Sequence, residues 1–282
     1  MNVGRTDETE DMTEAAGGYE PGFLGVEVGM PRPLDDRELR ELPYPHFTVV
    51  LDARRRLAAA TGVNIDGASL WDLERTGDWK IDPRVPASEQ AGRALYADND
   101  LDRGHLVRRR DPGWGTEAEA RAAAAATFAY PNAAPQASVF NQSKDLWLGL
   151  EDHVLRFAET TDLRVSVYTA PVLDAADPVY RGIAIPRRFW KVAAWAESGA
   201  DGDPALAASG FVLDQSSLIR LDDRALVVAR LGSFRTFQVP IADIAQLAAV
   251  DLGALVAADV MPVTPVRADR WTELSGASDI RL

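Results

Sequence analysis

The stretch Asp102-Arg103-Gly104-His105-Leu106 sets the expectations for the fold and for the functional site. His105 is one of only three histidines in a chain of 282 residues, which leaves few imidazoles for acid–base chemistry. A neutral imidazole has an ordinary pKa of about 6.5 and can accept a proton at physiological pH. Arg103 can hold a phosphate through its fork of N–H groups, and Gly104 permits a close backbone approach. A base beside a phosphate clamp is what hydrolysis of a phosphodiester requires.

Hydrolysis of a phosphodiester also needs positive charge to offset the negative charge that develops on the phosphate, and a metal ion is the usual source. The chain has no cysteine, which excludes thiolate sites and disulfides. Amide and carboxylate oxygens suit Mg²⁺, an ion that keeps most of its waters and uses few protein ligands. Asn141 and Glu151 flank the start of a predicted helix and are candidates to serve Mg²⁺, with Mn²⁺ as the alternative ion.

The composition is typical of a globular protein, with 46% hydrophobic and 26% charged residues. No linker or internal repeat divides the chain, so we expect a disordered acidic tail over residues 1–18 and a single domain over residues 19–282. The tail lacks the apolar run of a signal peptide, and no stretch approaches the ~18 apolar residues that span a bilayer. The sequence thus predicts a cytoplasmic protein without a membrane partner, and export by a specialised system stays open.

The net charge of −13 argues at first against a nucleic-acid partner, because nucleic-acid-binding domains are usually basic. A local patch can still attract a polyanion, and the strongest basic run, Arg108 to Arg110, lies close to His105. We expect Arg108 and Arg109 to contact phosphate, a solvated surface being the alternative. Trp114 follows on a turn close to the motif and is expected to line the same cleft.

Local patterns predict a mixture of strands and helices. Strands are predicted at 47–51, 163–173, 189–195, 210–213, 225–228 and 233–239. Helices are predicted at 117–130, from the cap Ser143 to about residue 159, and at 241–255. Residues 78–100 are expected to form a long loop with a short extended piece at 94–96. Because strands and helices do not alternate as βα units, the pattern favours an α+β fold.

Several segments after the motif at 102–106 complete a pattern that resembles the DNA/RNA non-specific endonuclease family. That family is the ββα-metal group that includes the Serratia-type nuclease and mitochondrial endonuclease G. The matching segments are Asn132 with Gln136, Phe140-Asn141-Gln142, Trp147 with Glu151, Thr169-Ala170-Pro171, Ile185-Pro186, and Phe189-Trp190-Lys191-Val192. The likeness spans roughly residues 44–255.

The resemblance implies a ββα-metal fold in which helices flank a central antiparallel sheet. It implies that His105 activates the attacking water as general base, that Arg103 stabilises charge on the scissile phosphate, and that Asn132 supports the site. Asn141 would be the one direct protein ligand of a hydrated Mg²⁺, and Glu151 would hold waters of that ion. The ends produced would be 5′-phosphate and 3′-hydroxyl, and since family members are often dimers a homodimer is implied.

Two features depart from the family pattern. Asn141 and Glu151 are ten residues apart, two more than in the Serratia-type enzyme, so the role of Glu151 depends on where its helix begins. We favour a helix that starts after Asn141, at the cap Ser143. Gly77 stands where that enzyme has an arginine, and Leu155 where it has a second one, so the arginines that grip the substrate are unassigned.

The leading hypothesis is a metal-dependent endonuclease that cuts DNA, and RNA as a second substrate, without regard to sequence. The alternatives are a phosphodiesterase of narrower scope and a catalytically silent nucleic-acid-binding protein. A cytoplasmic nuclease would endanger its own cell. We therefore expect an inhibitor, a regulatory partner or the acidic tail itself to restrain the activity.

Overall fold

The computed structural model describes residues 17–74, 77–138, 147–199, 201–222, 225–228, 235–261 and 270–282. The strands in these ranges, in chain order, are β1 (Arg32–Pro33), β2 (Leu39–Tyr44), β3 (Phe47–Asp52), β4 (Leu57–Asp66), β5 (Leu101–His105), β6 (Ala133–Ala137), β7 (Arg164–Pro171), β8 (Val179–Tyr180), β9 (Ile183–Ala184), β10 (Arg188–Ser198), β11 (Pro204–Asp214), β12 (Ile219–Asp222), β13 (Ala225–Val228), β14 (Arg235–Val239), β15 (Val250–Asp251) and β16 (Thr272–Glu273). The α-helices are α1 (Arg93–Tyr96), α2 (Glu117–Ala126), α3 (Trp147–Thr161) and α4 (Ile241–Ala248).

Eight of these strands form one antiparallel sheet in the order β16-β14-β11-β10-β7-β4-β3-β2. Its central strands are rich in β-branched and aromatic residues, which pack well on a pleated surface. Successive side chains of β10 face opposite layers: Phe189 and Ala193 lie in one core cluster, and Trp190 and Val192 lie in another. The sheet is therefore buried on both faces and forms the middle layer of the protein.

Helix α3 covers the first face of the sheet. Its buried residues recur at helical spacing and are Leu150, Val154, Leu155 and Ala158. Full burial of a leucine or valine side chain contributes about 1.5–3 kcal/mol, so this stripe is enough to dock the helix. Gly67 lets the chain pass close to it, because a Cβ there would lie 2.0 Å from the carbonyl oxygen of Ala158.

The second face is covered by residues 19–30 and by α4. Tyr19 and Phe23 pack in the same cluster as Ile241 and Ile244. The Tyr19 hydroxyl also lies 2.5 Å from the hydroxyl of Tyr168 on β7 and donates to the carbonyl of Val28. The chain entering the domain is thus fixed to the sheet by both apolar burial and hydrogen bonds.

A separate hairpin of β5 and β6 carries the motif at 102–106. Gln215, which follows β11 and is fully buried, holds this hairpin against the large sheet. Its Oε1 accepts a hydrogen bond from the Ala137 amide at 2.9 Å, and its Nε2 donates to the carbonyls of Pro186 at 2.7 Å and Pro135 at 3.3 Å. One side chain therefore connects the end of β6 to the central layer.

The observed elements confirm the α+β class, with an antiparallel sheet flanked by helices. The six predicted strands are present, and α2 and α3 match the first two predicted helices, although α2 ends at Ala126. Two expectations are wrong. Residues 94–96 belong to α1, and the helix predicted to reach residue 255 ends at Ala248 because Ala249 adopts the left-handed conformation, with φ of 50°. Residues 1–16 and Ser143 lie outside the described residues.

Among the described helices, none is both long and apolar enough to cross a membrane.

Candidate active site

Strand β5 presents its residues on alternate faces. Arg103 and His105 therefore share one face, while Asp102 and Gly104 share the other. Pairing with β6 places Asp102 opposite Gln136. A Cβ at position 104 would lie 2.1 Å from the Gln136 Cδ, so the buried Gln136 side chain requires a glycine there. The motif glycine is thus a packing requirement of this hairpin.

Four aromatic side chains lie behind the face that holds Arg103 and His105, and we call them the aromatic wall: Trp79, Tyr96, Phe128 and Tyr130. The His105 ring lies 4.5 Å from the Trp79 ring and 4.9 Å from the Phe128 ring, meeting the latter edge to face. Within the wall, Trp79 contacts Phe128 at 5.5 Å and Tyr130 at 6.0 Å. These contacts fix the plane of the imidazole from two sides.

Arg103 continues along the same wall. Its Cζ lies 5.2 Å from the centre of the Tyr96 ring and 6.0 Å from the centre of the Tyr130 ring, within the range of cation–π attraction. No carboxylate of the described residues forms an ion pair with Arg103, and its buried Nε has no hydrogen-bond acceptor among them. Within the part of the chain that the structure describes, the positive charge beside His105 is therefore stabilised by aromatic rings and not paired with a carboxylate.

Asn132 is buried and fixes the backbone that follows His105. Its Oδ1 accepts a hydrogen bond from the Val107 amide at 2.8 Å, and its Nδ2 donates to the carbonyls of Val107 at 2.8 Å and Thr127 at 2.9 Å. Its own carbonyl accepts from the Leu106 amide at 3.0 Å. Through these hydrogen bonds Asn132 fixes the backbone of Leu106 and Val107, which directly follow His105.

Glu151 lies on α3 and is 8% exposed, and both of its carboxylate oxygens face cations. Lys191 Nζ, from β10, lies 3.2 Å from Oε1, and Arg108 Nε lies 3.2 Å from Oε2. Arg108 also donates to Asp152 at 2.6 Å, and its amide donates to the carboxylate of Asp111 at 3.3 Å. We call these five residues the ionic cluster.

Burial raises the pKa of Asp111 to about 6, against the opposing attraction of Arg108 and Lys191. Burial alone would lower the pKa of Arg108, but the carboxylates of Glu151 and Asp111 raise it overall. Arg108 is therefore held charged, and its charge is already shared between carboxylates.

Arg109 and Trp114, which were expected to contact the substrate, instead make contacts within the protein. Arg109 donates from one Nη to the carbonyls of Leu73 at 2.6 Å and Glu74 at 3.2 Å. Trp114 stacks on His46, with ring centres 3.6 Å apart, and donates from Nε1 to the Asn64 carbonyl at 2.7 Å. Trp114 also packs in the cluster on the second face of the sheet.

The two remaining histidines have structural surroundings. His46 Nδ1 bonds to the Pro112 carbonyl at 2.8 Å, and burial lowers the pKa of its imidazole. His153 is half-buried on α3, and burial together with the nearby charge of Arg156 lowers its pKa. Asn141, the expected metal ligand, lies outside the described residues.

A family model of DNA/RNA non-specific endonucleases matches residues 27–259. The chain belongs to the DNA/RNA non-specific endonuclease family. A curated relative, the uncharacterized protein y4fB of Sinorhizobium fredii (strain NBRC 101917 / NGR234), is 38% identical over 269 residues. That match covers 86% of this chain and 39% of the relative, so the chain spans well under half of the relative's length.

A solved structure, the crystal structure of the EndoG/EndoGI complex, is similar to this endonuclease-family chain with a TM-score of 0.56. The two share 20% identity, and the match covers 77% of this chain and 86% of that one. At that identity the likeness concerns the fold alone, and it agrees with the expected ββα-metal nuclease fold.

The departure from the family pattern at Gly77 has a structural reason. Its φ of 137° lies in the region that favours glycine, and a Cβ there would lie 2.6 Å from Phe128 Cδ2 in the aromatic wall. The arginine of the Serratia-type enzyme therefore has no counterpart at this position. The space that its side chain would need is taken by the wall.

Sequence reasoning missed two parts of this endonuclease-family site. Tyr96, Phe128 and Tyr130 were not singled out, because aromatic residues in a loop or at a helix end carry no periodic signal. Lys191 was noted only as part of a family segment, although a lysine inside a buried strand is a signal, since a buried ammonium needs a partner.

The described residues contain no group of three or more His, Cys, Asp or Glu side chains that could hold a metal ion. Glu151 is bonded to two cations, which compete with any cation for its oxygens. Both candidates, the Asn141 amide and the Glu151 carboxylate, carry the hard oxygen donors that Mg²⁺ prefers, but only those of Glu151 are seen to be bonded to protein cations.

Proposed function

We propose that this chain is a metal-dependent endonuclease that hydrolyses phosphodiester bonds of DNA, and of RNA, without regard to sequence. The observation that carries the proposal is the shared face of β5, where His105 stands beside an arginine that has no carboxylate partner among the described residues. A base next to an un-neutralised guanidinium can bind a phosphate and activate water against it. Family membership supports the same reaction.

In the proposed reaction, His105 accepts the proton of the attacking water, and the wall residues Trp79 and Phe128 keep its ring in one orientation. Arg103 donates N–H groups to the scissile phosphate and offsets the charge that develops on it. Asn132 keeps the backbone after the motif in place through its bonds to Val107. Attack on the phosphorus breaks the bond to the 3′ oxygen, which leaves with the bonding electron pair and takes a proton from solvent water; the products are a 5′-phosphate and a 3′-hydroxyl.

A Mg²⁺ ion, or Mn²⁺ in its place, would be held by Asn141, and when bound it would supply the positive charge that stabilises the leaving oxygen. Arg108 and Lys191 already bond the two carboxylate oxygens of Glu151. We therefore propose that Glu151 does not bind the metal ion directly and instead accepts hydrogen bonds from waters bound to that ion. For the same reason we propose that Arg108 positions Glu151, in place of the phosphate contact that the sequence suggested.

Arg109 and Trp114 receive revised roles in this proposal. Arg109 joins the carbonyls of Leu73 and Glu74 and so holds the loop beside the motif. Trp114 is proposed as a packing residue that supports the turn after Asp111 through its stack on His46.

The test is cleavage of supercoiled plasmid by purified protein across a series of divalent ions. We expect nicking with Mg²⁺, no nicking in EDTA, and a complete loss in His105→Ala. His153→Ala is the matched control, because it removes an imidazole from α3 and leaves β5 intact. Cutting by His105→Ala at the wild-type rate would remove His105 as the base.

An inhibitor partner belongs to the proposal as well. The structural neighbour is an EndoG/EndoGI complex solved to explain how EndoG is inhibited, and this supports restraint of the present chain by a partner of its own. The homodimer and the cytoplasmic location stay predictions from the sequence.

A further inference from the structure

The pair Tyr96 and Tyr130 forms an aromatic support beneath Arg103. Both rings are buried, with 6% and 5% exposure, and they stack at 6.3 Å with 19° between their planes. Tyr96 comes from α1 and Tyr130 from the 3₁₀ turn that leads into β6. Two segments that are distant in sequence therefore converge on one guanidinium.

A partly buried guanidinium usually gains stability from a carboxylate, which also cancels its charge. The faces of aromatic rings stabilise a cation through their quadrupole and leave its net charge and N–H groups intact. Burial also raises the pKa of the Tyr96 hydroxyl, so this ring stays neutral and adds no negative charge beside Arg103. The two tyrosines thus hold the Arg103 side chain in place and leave its charge and N–H groups available to a ligand.

We propose that Tyr96 and Tyr130 are positioning residues that orient Arg103 for the substrate phosphate and keep its full charge available. This inference rests on the proposed function of Arg103 as the phosphate contact. Both rings lie against the Arg103 guanidinium on the face of β5 that also carries His105. Loss of either ring therefore lets the Arg103 side chain leave its position beside His105. The aromatic face is the property that matters, and the hydroxyl groups are dispensable.

The test compares substitutions that keep the ring with substitutions that remove it. Tyr96→Leu and Tyr130→Leu remove the face, and Tyr96→Phe and Tyr130→Phe preserve it. We expect each leucine variant to lower kcat/KM for a short labelled duplex by roughly tenfold, the size of a lost desolvated cation–π contact. The phenylalanine variants are expected to retain activity within about threefold, since the quadrupole is retained.

A double-mutant cycle with Arg103→Met separates positioning from general destabilisation. In the Arg103→Met background, the leucine substitutions are expected to lower kcat/KM by less than about twofold, because coupled residues are not additive. Phe237→Leu is the matched control, since Phe237 lies 4.7 Å beneath Arg235 on β14 and makes a similar contact in the eight-stranded sheet, to which β5 does not belong. Its effect on kcat/KM is expected to be absent.

Binding to the same duplex in EDTA, followed over a salt series, gives a readout that does not depend on cleavage. Tyr96→Leu is expected to weaken binding and to reduce the salt dependence, as loss of one phosphate contact does. If the wild-type protein binds the duplex but never cleaves it, the proposed function fails. The inference is then still tested by comparing duplex binding of the wild type with that of the leucine variants. An equal loss with and without Arg103, no loss in the leucine variants, or no binding by wild-type protein would each overturn the inference.

Discussion

Two arginines only five residues apart, Arg103 and Arg108, lie in opposite surroundings. Arg103 rests on the rings of Tyr96 and Tyr130, whereas Arg108 bonds the carboxylates of Glu151 and Asp152. Both surroundings stabilise a partly buried guanidinium. Of the two, only the aromatic surroundings leave the charge of the arginine available to bind an anion. The partners of an arginine, and not its place in a basic run, therefore decide whether it can bind a phosphate.

The largest effect is expected where the ionic cluster loses a cation. Lys191→Met leaves the buried Glu151 with one partner, and breaking a buried pair in this way costs about 3–5 kcal/mol of unfolding free energy. Urea unfolding measures it. Adding Glu151→Gln to the same chain should recover part of the loss, because the unpaired charge is then gone. A cost below about 1 kcal/mol in the single variant would show that the cluster is not buried as described.

The next effect concerns the pH dependence of the same cluster. Burial raises the pKa of Asp111 from 3.8 to about 6 in the folded chain, and Arg108, Lys191 and Glu151 are the charged groups around it. A carboxyl with a raised pKa contributes stability that is present below pH 3.8 and is lost as the pH rises through about 6.

We therefore expect the unfolding free energy of the wild type, relative to Asp111→Asn, to fall by about 2 kcal/mol between pH 4.5 and pH 7.5. Urea unfolding of both chains in EDTA, from pH 4.5 to 7.5, checks the sign. A difference that stays constant or grows with pH would contradict a raised pKa for this carboxyl.

On the other side of the comparison, Arg103→Met should affect catalysis and leave stability nearly unchanged. Removal of one donor to a developing anion lowers the rate by about 100-fold, so kcat/KM on the labelled duplex should fall by that order. The melting temperature should move little, because no ion pair within the described part of the chain is broken. A large loss of stability with little loss of activity would reverse the assignment of the two arginines.

The smallest effect is expected at an exposed ion pair, that of Arg235 and Glu273. Arg235 bonds Glu273 at 2.8 Å, and both side chains are about half exposed. Arg235→Met should change the unfolding free energy far less than Lys191→Met does, since water screens such a pair. The same urea measurement applies, and a cost as large as that of Lys191→Met would mean that burial is not what separates the two cases.

Much of the fold could be predicted from local pattern. The strands from Phe47 and from Arg164, and helix α2 with its capping box at Thr116, carry signals within a few residues of themselves. The ends of elements were less predictable. Residues 94–96 form one helical turn too short for any periodicity, and α4 stops where Ala249 takes a left-handed conformation that nothing in an alanine signals.

The candidate site divides in the same way. Arg103 and His105 could be found because they stand together in the contiguous motif Asp-Arg-Gly-His, and the structure then shows both on one face of β5. The partners could not be found, since Tyr96, Tyr130 and Lys191 reach the site from other elements. Arg108 was assigned to phosphate because sequence shows charges but not which carboxylates fold against them.

Sequence alone identified the residues of the proposed chemistry, one histidine and one arginine on either side of a glycine, within a family pattern that spans most of the chain. The tertiary structure alone decided which charges remain available. It packed two tyrosines beneath Arg103 and two carboxylates against Arg108, and it filled with Phe128 the space beside Gly77 that another arginine would need. The physical reason is that a motif is local, whereas neutralisation of a charge depends on partners distant in the chain.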